Sequence, residues 1–375
     1  MLKKLVSVEQ LRLMPNRVLF AEQTNATSKL RKLLLELKKE NDYGPMKILI
    51  VGAGGSFPAA LFAEQILAYE CKTADVQAVT PQKAIRKLKQ FFFYPIHKPL
   101  YNVVIAISYS GKTADIQKVY EVCKAENIQF ILVTKAIDSD IQEVYPNYNT
   151  ISSNIVSYYN EEDDTGNERG MISMASTFSP IVIFDDLVSN CKTENQKCFE
   201  KGRQFVEALD IAAIADSIKK IKIVNVFYEW ETLPTVYDIE SKFTEAGIAN
   251  IVFHEKKNFS HGRYVSLYTL ESGLNINLTM LDSLNELNKD ENTSCKTPYD
   301  KKLEVFLKNI SAKNNTPYIS IGMNAYMPNQ WNIEAMAIIP YLLVAIGEEL
   351  GIDISKPLQP FPEEAKELFN YIGEF

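Results

Sequence analysis

Residues 47–70, KILIVGAGGSFPAALFAEQILAYE, place an unbroken apolar strand, a glycine-rich turn and an apolar helix in direct succession. The pattern continues with DVQAV (75–79, strand), PQKAIRKLKQFF (81–92, helix), NVVIAIS (102–108, strand), TADIQKVYEVCKAEN (113–127, helix) and QFILVTK (129–135, strand). Short continuous apolar strands separated by helices are what a parallel sheet covered on both faces requires. After a helical stretch at 176–188 and a charged helical region at 193–220, the alternation resumes. IKIVNVF (221–227) reads as a strand, LPTVYDIESKFTEAG (233–247) as a helix, and ANIVFH (249–254) and YVSLYTL (264–270) as strands. A polar stretch at 284–302 then runs into a helix, TPYISIGM (316–323) reads as a strand, and an apolar helix surrounds Pro340. The expectation is an α/β protein of two doubly wound, flavodoxin- or Rossmann-like parallel sheets. An N-terminal helical segment spans 1–44, a first domain 45–215 and a second 216–375.

Working outward, the chain has 375 residues, 46% of them hydrophobic and 23% charged, enough for two ordinary cores. Lys+Arg 40 against Asp+Glu 47 leaves a net charge of −7, so no broad positive face is expected for a nucleic-acid backbone or an anionic membrane. MAIIPYLLVAIG (336–347) is shorter than the roughly 20 residues that cross a bilayer. MLKKLVSVEQL lacks the form of a secretory leader, and the chain is expected in the cytoplasm. Five cysteines without a Cys-x-x-Cys pair fit reduced thiols. His254-Glu255 followed by His261 lacks the helical spacing of a zinc motif, and no metal is expected.

Ligands of open parallel sheets bind beyond the carboxyl ends of the strands. Two loops there carry chemistry. Gly52-Ala53-Gly54-Gly55-Ser56 lets backbone amides approach an anion at a helix N-terminus, although a tight turn needing small residues explains it equally well by itself. Phe57 stands where a dinucleotide fingerprint needs glycine, and Asp75 opens the next strand instead of closing it, so NAD is discounted. Ser108-Tyr109-Ser110-Gly111-Lys112-Thr113 crowds hydroxyls and free amides where a strand ends and a helix starts, the composition that wraps a phosphate.

Ser108-x-Ser110-Gly111-x-Thr113 with Asp115, after a small-residue loop ending in Ser56, resembles the phosphosugar-binding signature of the sugar isomerase (SIS) domain. Gly166-Asn167-Glu168-Arg169-Gly170-Met171-Ile172-Ser173 resembles that domain's third substrate-facing segment. Lys242-Phe243-Thr244-Glu245 followed by Phe259-Ser260-His261-Gly262 looks like the second SIS domain of tandem phosphosugar isomerases, fructosamine-6-phosphate deglycases and the isomerase domain of glucosamine-6-phosphate synthase. Gly351-Ile352-Asp353 resembles the closing segment, with Leu358 where an arginine often stands and Lys366 as the lysine left in the tail.

The resemblance implies a sugar phosphate as partner, bound by Gly54, Gly55, Ser56, Ser108, Tyr109, Ser110, Thr113, Glu168 and Ser173. It implies Glu245 as the carboxylate that moves a proton between C1 and C2, and His261, donated across a homodimer interface, as the group that helps open the sugar ring. Isomerisation through an enediol or enolamine uses only proton transfers, so no cofactor is expected. With about 45 residues before the first strand, no glutaminase domain is expected either. The residues leave a non-catalytic phosphosugar sensor as the alternative to a phosphosugar isomerase or deglycase, and a purely structural subunit as a third reading.

Overall fold

The structure is a computed structural model of the chain that describes residues 6–40, 46–70, 75–89, 100–145, 151–163, 165, 166, 168, 172–188, 194–281, 298–324 and 328–356. These fall into two compact units. The first comprises the described residues of 13–168 and 173–188, the second those of 1–12, 172 and 194–356.

The chain begins with helices α1 (Val6–Glu22) and α2 (Ala26–Glu40). In the first unit, strands β1 (Lys47–Gly52), β2 (Asp75–Val79), β3 (Val103–Ile107), β4 (Gln129–Thr134) and β5 (Ile155–Ser157) form one sheet in the order β2-β1-β3-β4-β5. Every pair is parallel. Helices α3 (Phe57–Glu70), α4 (Pro81–Lys89), α5 (Ala114–Ala125), α6 (Asp138–Gln142) and α7 (Ala175–Asp185) connect and cover it. Residues 48–51 of β1 and 103–106 of β3 are wholly buried, which is why both strands are written as unbroken apolar runs. The Cys123 thiol is buried in this core and desolvation pushes its pKa up to about 12.

In the second unit, β6 (Ile223–Tyr228), β7 (Asn250–Glu255), β8 (Leu274–Leu281) and β9 (Tyr318–Asn324) pair in parallel in the order β7-β6-β8-β9. That is the β2-β1-β3-β4 arrangement over again. Its helices are α8 (Asn195–Glu207), α9 (Ile211–Lys220), α10 (Leu233–Glu245), the short α11 (Lys256–Phe259) and α12 (Ser266–Thr269), α13 (Pro298–Lys313) and α14 (Pro328–Leu350). α14 runs unbroken through Pro340 and packs on α8, α9 and α10. At Gly202 of α8 an added Cβ would lie 2.8 Å from the Ala337 carbonyl oxygen, so a side chain there would push α14 away. Asp353 of the Gly-x-Asp segment caps α1, its carboxylate accepting from Val6 N at 3.0 Å and Ser7 N at 3.2 Å. Lys366 and residues 282–297 lie outside the described residues.

Two independent doubly wound parallel sheets bear out the expected fold class. One element differs in kind: the stretch 264–270, expected as a strand, forms a 3-10 turn at Arg263–Val265 followed by α12. Aromatic and β-branched residues favour strands, but here Tyr264, Val265, Tyr268 and Leu270 are exposed, and no sheet face takes them up. The third strand of this sheet is β8, which begins ten residues after Tyr264. β5 is likewise absent from the sequence reading.

Candidate functional site

β1 has β2 on one side and β3 on the other, so the chain winds away from that point in opposite directions and leaves a crevice at the carboxyl edge. Gly52 pairs with Ile107, and Ala53 and Ser108 therefore leave the sheet side by side. The two hydroxyl-bearing loops of the sequence are neighbours for this reason.

The first loop forms a 3-10 turn, Gly54–Ser56, that enters α3 directly; its cap, Ala53, is extended and offers no side-chain hydrogen bond. In the second, the Ser108 hydroxyl is buried and lies 3.1 Å from that of Thr113. Gly111 adopts φ +67°, a left-handed conformation that lets its N–H turn back to the Ser108 carbonyl at 3.2 Å. Ser110 is exposed, its hydroxyl accepting from Lys112 N at 3.2 Å. Thr113 sits at the N-cap of α5 without a side-chain cap, its carbonyl accepting from Ile116 and Gln117. Two helix starts whose amides are not taken by side-chain caps face the same crevice, which is an anion-binding arrangement. Lys112 reaches Asp140 at 3.0 Å and Glu143 at 3.4 Å on the surface.

The third segment meets the first loop. A Cβ built on Gly55 would lie 2.3 Å from the Ser173 Cβ, and the Thr177 hydroxyl donates to the Gly55 carbonyl at 2.9 Å. Glu168 is committed to the start of α7: its carboxylate accepts from the amides of Met174 and Ala175 at 2.8 Å and of Ser176 at 2.9 Å. Asn167 and residues 169–171 lie outside the described residues. Lys135, which follows β4, joins Asp163 at 2.6 Å. Burial opposes the Asp163 charge, but hydrogen bonds from Lys135 and Thr165 and the Lys135 charge outweigh it and hold the carboxyl below its ordinary range. Neither Lys135 nor Thr177 is marked by the sequence motifs.

In the second unit, Glu245 is the last residue of α10, as its place before Ala246-Gly247 predicts. Its pKa is raised, chiefly by burial, against a 2.7 Å hydrogen bond from Ser241 and the Lys242 charge. Its second oxygen is buried and has no hydrogen-bond partner among the described residues. One turn earlier, Lys242 and Asp238 form an ion pair in which both side chains are 1% exposed. The spacing 238, 242, 245 puts all three groups on one helix face.

His261 is exposed in the turn after α11. Because β7 is parallel to β6, α10 must return the chain to the amino edge of the sheet, where Glu245 ends it; six residues of β7 then climb back to the carboxyl edge, where His261 lies. Six strand residues rise about 20 Å, so one chain holds the two groups at opposite edges of the sheet. His254 is a core residue, stacked 4.9 Å from Phe227, its Nε2 3.0 Å from the Asn225 side-chain oxygen. Burial lowers its pKa to about 4. At the carboxyl edge of this sheet, Glu229, Trp230, Glu231 and Glu255 help line a cleft of about 340 Å³, and Lys256 is paired with Glu229 at 2.9 Å. Its four carboxylates, Glu229, Glu231, Glu255 and Asp300, outnumber its two lysines, Lys256 and Lys257, a balance that disfavours a phosphate.

No protein-family model matches the sequence, and no curated protein sequence matches it. Solved structures do. The tagatose-6-phosphate ketose/aldose isomerase from Escherichia coli is 11% identical, TM-score 0.61, over 92% of this chain and 93% of that one. The C-terminal domain of glucosamine-fructose-6-phosphate aminotransferase from Francisella tularensis is 14% identical, TM-score 0.59, over 92% and 97%. The glucosamine-6-phosphate deaminase from Thermotoga maritima is 14% identical, TM-score 0.55, over 91% and 97%. The chain shares the fold of these proteins along nearly its whole length, in agreement with the resemblance to tandem SIS domains.

Proposed function

We propose that this chain is a phosphosugar isomerase or deglycase that acts without a cofactor on an aldose, ketose or amino-sugar phosphate. The observation that carries the reading is the pair of hydroxyl loops leaving β1 and β3 in register at the point where the sheet's winding reverses. Ser108, Ser110 and Thr113, with the amides that open α3 and α5, hold the phosphate; Ser56 and Ser173 adjoin it. Solved proteins of the same fold that act on sugar 6-phosphates support the class of substrate. Glu245 is the base: a carboxylate whose pKa is raised by burial takes the carbon-bound proton at one carbon and returns it to the next, through an enediol or enolamine. His261 acts in ring opening, supplied by a second copy of the chain.

Incubation with fructose 6-phosphate, glucosamine 6-phosphate and a fructosamine 6-phosphate, followed by NMR for sugar interconversion and for amine release, tests this directly. Turnover of any of them upholds it. One observation favours a second reading, a phosphosugar sensor: a single chain keeps Glu245 and His261 at opposite edges of its second sheet. Binding without turnover across the panel selects the sensor.

A further inference from the structure

Between the phosphate loop and β5 lies a group of side chains of which the phosphosugar resemblance involves Tyr109 but neither Lys135 nor Tyr158, and the inference drawn from them rests on the phosphosugar reading. The hydrogen-bond ladder of the first sheet continues past the strand ends: Ser108 N donates to Val133 O at 3.0 Å, Lys135 N to Tyr109 O at 3.1 Å and Tyr158 N to Thr134 O at 2.9 Å. Tyr109, Lys135 and Tyr158 therefore emerge along one edge, from three adjacent strands. Lys135 Nζ lies 5.7 Å from the centre of the Tyr109 ring. Both phenol oxygens are buried, and neither has a hydrogen-bond partner among the described residues.

A buried tyrosine hydroxyl ordinarily finds a partner, because stripping it of water without replacement is costly. Two such hydroxyls at one edge, next to a loop built to hold an anion, are a reason to look for a shared ligand. Tyr158 is 2% exposed, and its pKa is raised by burial first and then by its neighbours Tyr109 and Glu168, so the phenol stays neutral and keeps its proton to donate. β5 lies two strands from β3, roughly 10 Å at ordinary strand spacing, beyond a phosphate held at Ser108 to Thr113 and within reach of the carbon chain attached to it.

We propose that the Tyr109 and Tyr158 hydroxyls donate hydrogen bonds to the polyol oxygens of the bound sugar phosphate, and that Tyr158 is a specificity-determining residue of the site. The phosphate then supplies binding common to all sugar phosphates, while the tyrosines distinguish among sugars by where their oxygens stand.

Calorimetric titration of the wild type, Tyr158→Phe and Tyr109→Phe with inorganic phosphate and with fructose, tagatose and glucosamine 6-phosphates, alongside thermal melts, tests this. Tyr158→Phe should weaken the best sugar phosphate about tenfold, leave inorganic phosphate unchanged and not lower Tm, since the variant only removes a desolvated hydroxyl. An unchanged affinity for that sugar phosphate would overturn the assignment of Tyr158, as would an equal loss for inorganic phosphate. A wild type that binds inorganic phosphate and none of the three sugars would overturn the phosphosugar reading itself, and this inference with it.

Discussion

The Ser173 side chain occupies the space in which a side chain at Gly55 would stand: an added Cβ would be 2.3 Å from the Ser173 Cβ and 2.5 Å from its hydroxyl. The first loop and the third segment thus close on each other only because residue 55 has no side chain. Gly55→Ala should force the segment that begins α7 outward, at a cost of about 1–3 kcal/mol for an overpacked contact. Melting curves should show the loss, and binding of sugar phosphates should weaken with it. Adding Ser173→Gly should restore much of the stability, because it removes the clashing atoms. A double variant no more stable than Gly55→Ala would show that the contact is not what requires glycine.

Ser110 is exposed in the second loop, so its hydroxyl can be removed without opening the core. Ser110→Ala should reduce affinity for a sugar phosphate by about ten- to hundredfold, the equivalent of a hydrogen bond to a charged group at roughly 1.5–3 kcal/mol. Its effect on the unphosphorylated sugar should be nil. Titration of both ligands decides, and an equal loss for both would place the phosphate elsewhere.

Much of this first site can be read before any coordinates exist, for a physical reason. A strand buried on both faces, such as β1 or β3, must be apolar throughout, and the loops that leave it hold small and hydroxyl residues where amides are to stay accessible. β5 evades that reading because Ile155–Ser157 is only three residues long. β8 evades it because one of its faces carries the buried polar residues Asn275, Asn277 and Thr279, Asn275 hydrogen-bonded to Asn225 and Ser311 and the Asn277 amide nitrogen donating to Thr279. Lys135, Thr177 and Tyr158 are recognisable only once strands far apart in sequence are in register. The charged triad of α10, by contrast, was available from its helical spacing alone.

The raised pKa of Glu245 fixes the sign of two pH effects. As a base it must be ionised, so turnover should rise with pH through a value above the ordinary 4.5. Ser241→Ala removes a hydrogen bond that favours the charged form, and the acid limb of the pH–rate profile should move to higher pH. For stability, a carboxyl that holds its proton more tightly when folded loses stability as pH rises from 4.5 through the folded value. Glu245→Gln should therefore raise Tm at neutral pH, with a gain that vanishes in acid, while abolishing turnover and sparing binding. A Tm gain that persists unchanged in acid would show that ionisation of Glu245 is not its source.

The separation of Glu245 and His261 makes the shared-site reading testable by mixing chains. With the two groups at opposite edges of one sheet, a site that uses both draws each from a different copy. A Glu245→Gln chain and a His261→Ala chain, each inactive as a homodimer, should then regain activity together: in a mixed dimer, one of the two sites combines the intact glutamate of the second chain with the intact histidine of the first. At equal amounts and random exchange about half the dimers are mixed, and each carries one working site of two, so recovery should approach about a quarter of wild-type activity, as expected for independent sites on a closed two-fold dimer. Native mass measurement establishes that mixed dimers have formed. If they form and remain inactive, the glutamate and histidine do not complete one another's sites, and the sensor reading gains accordingly.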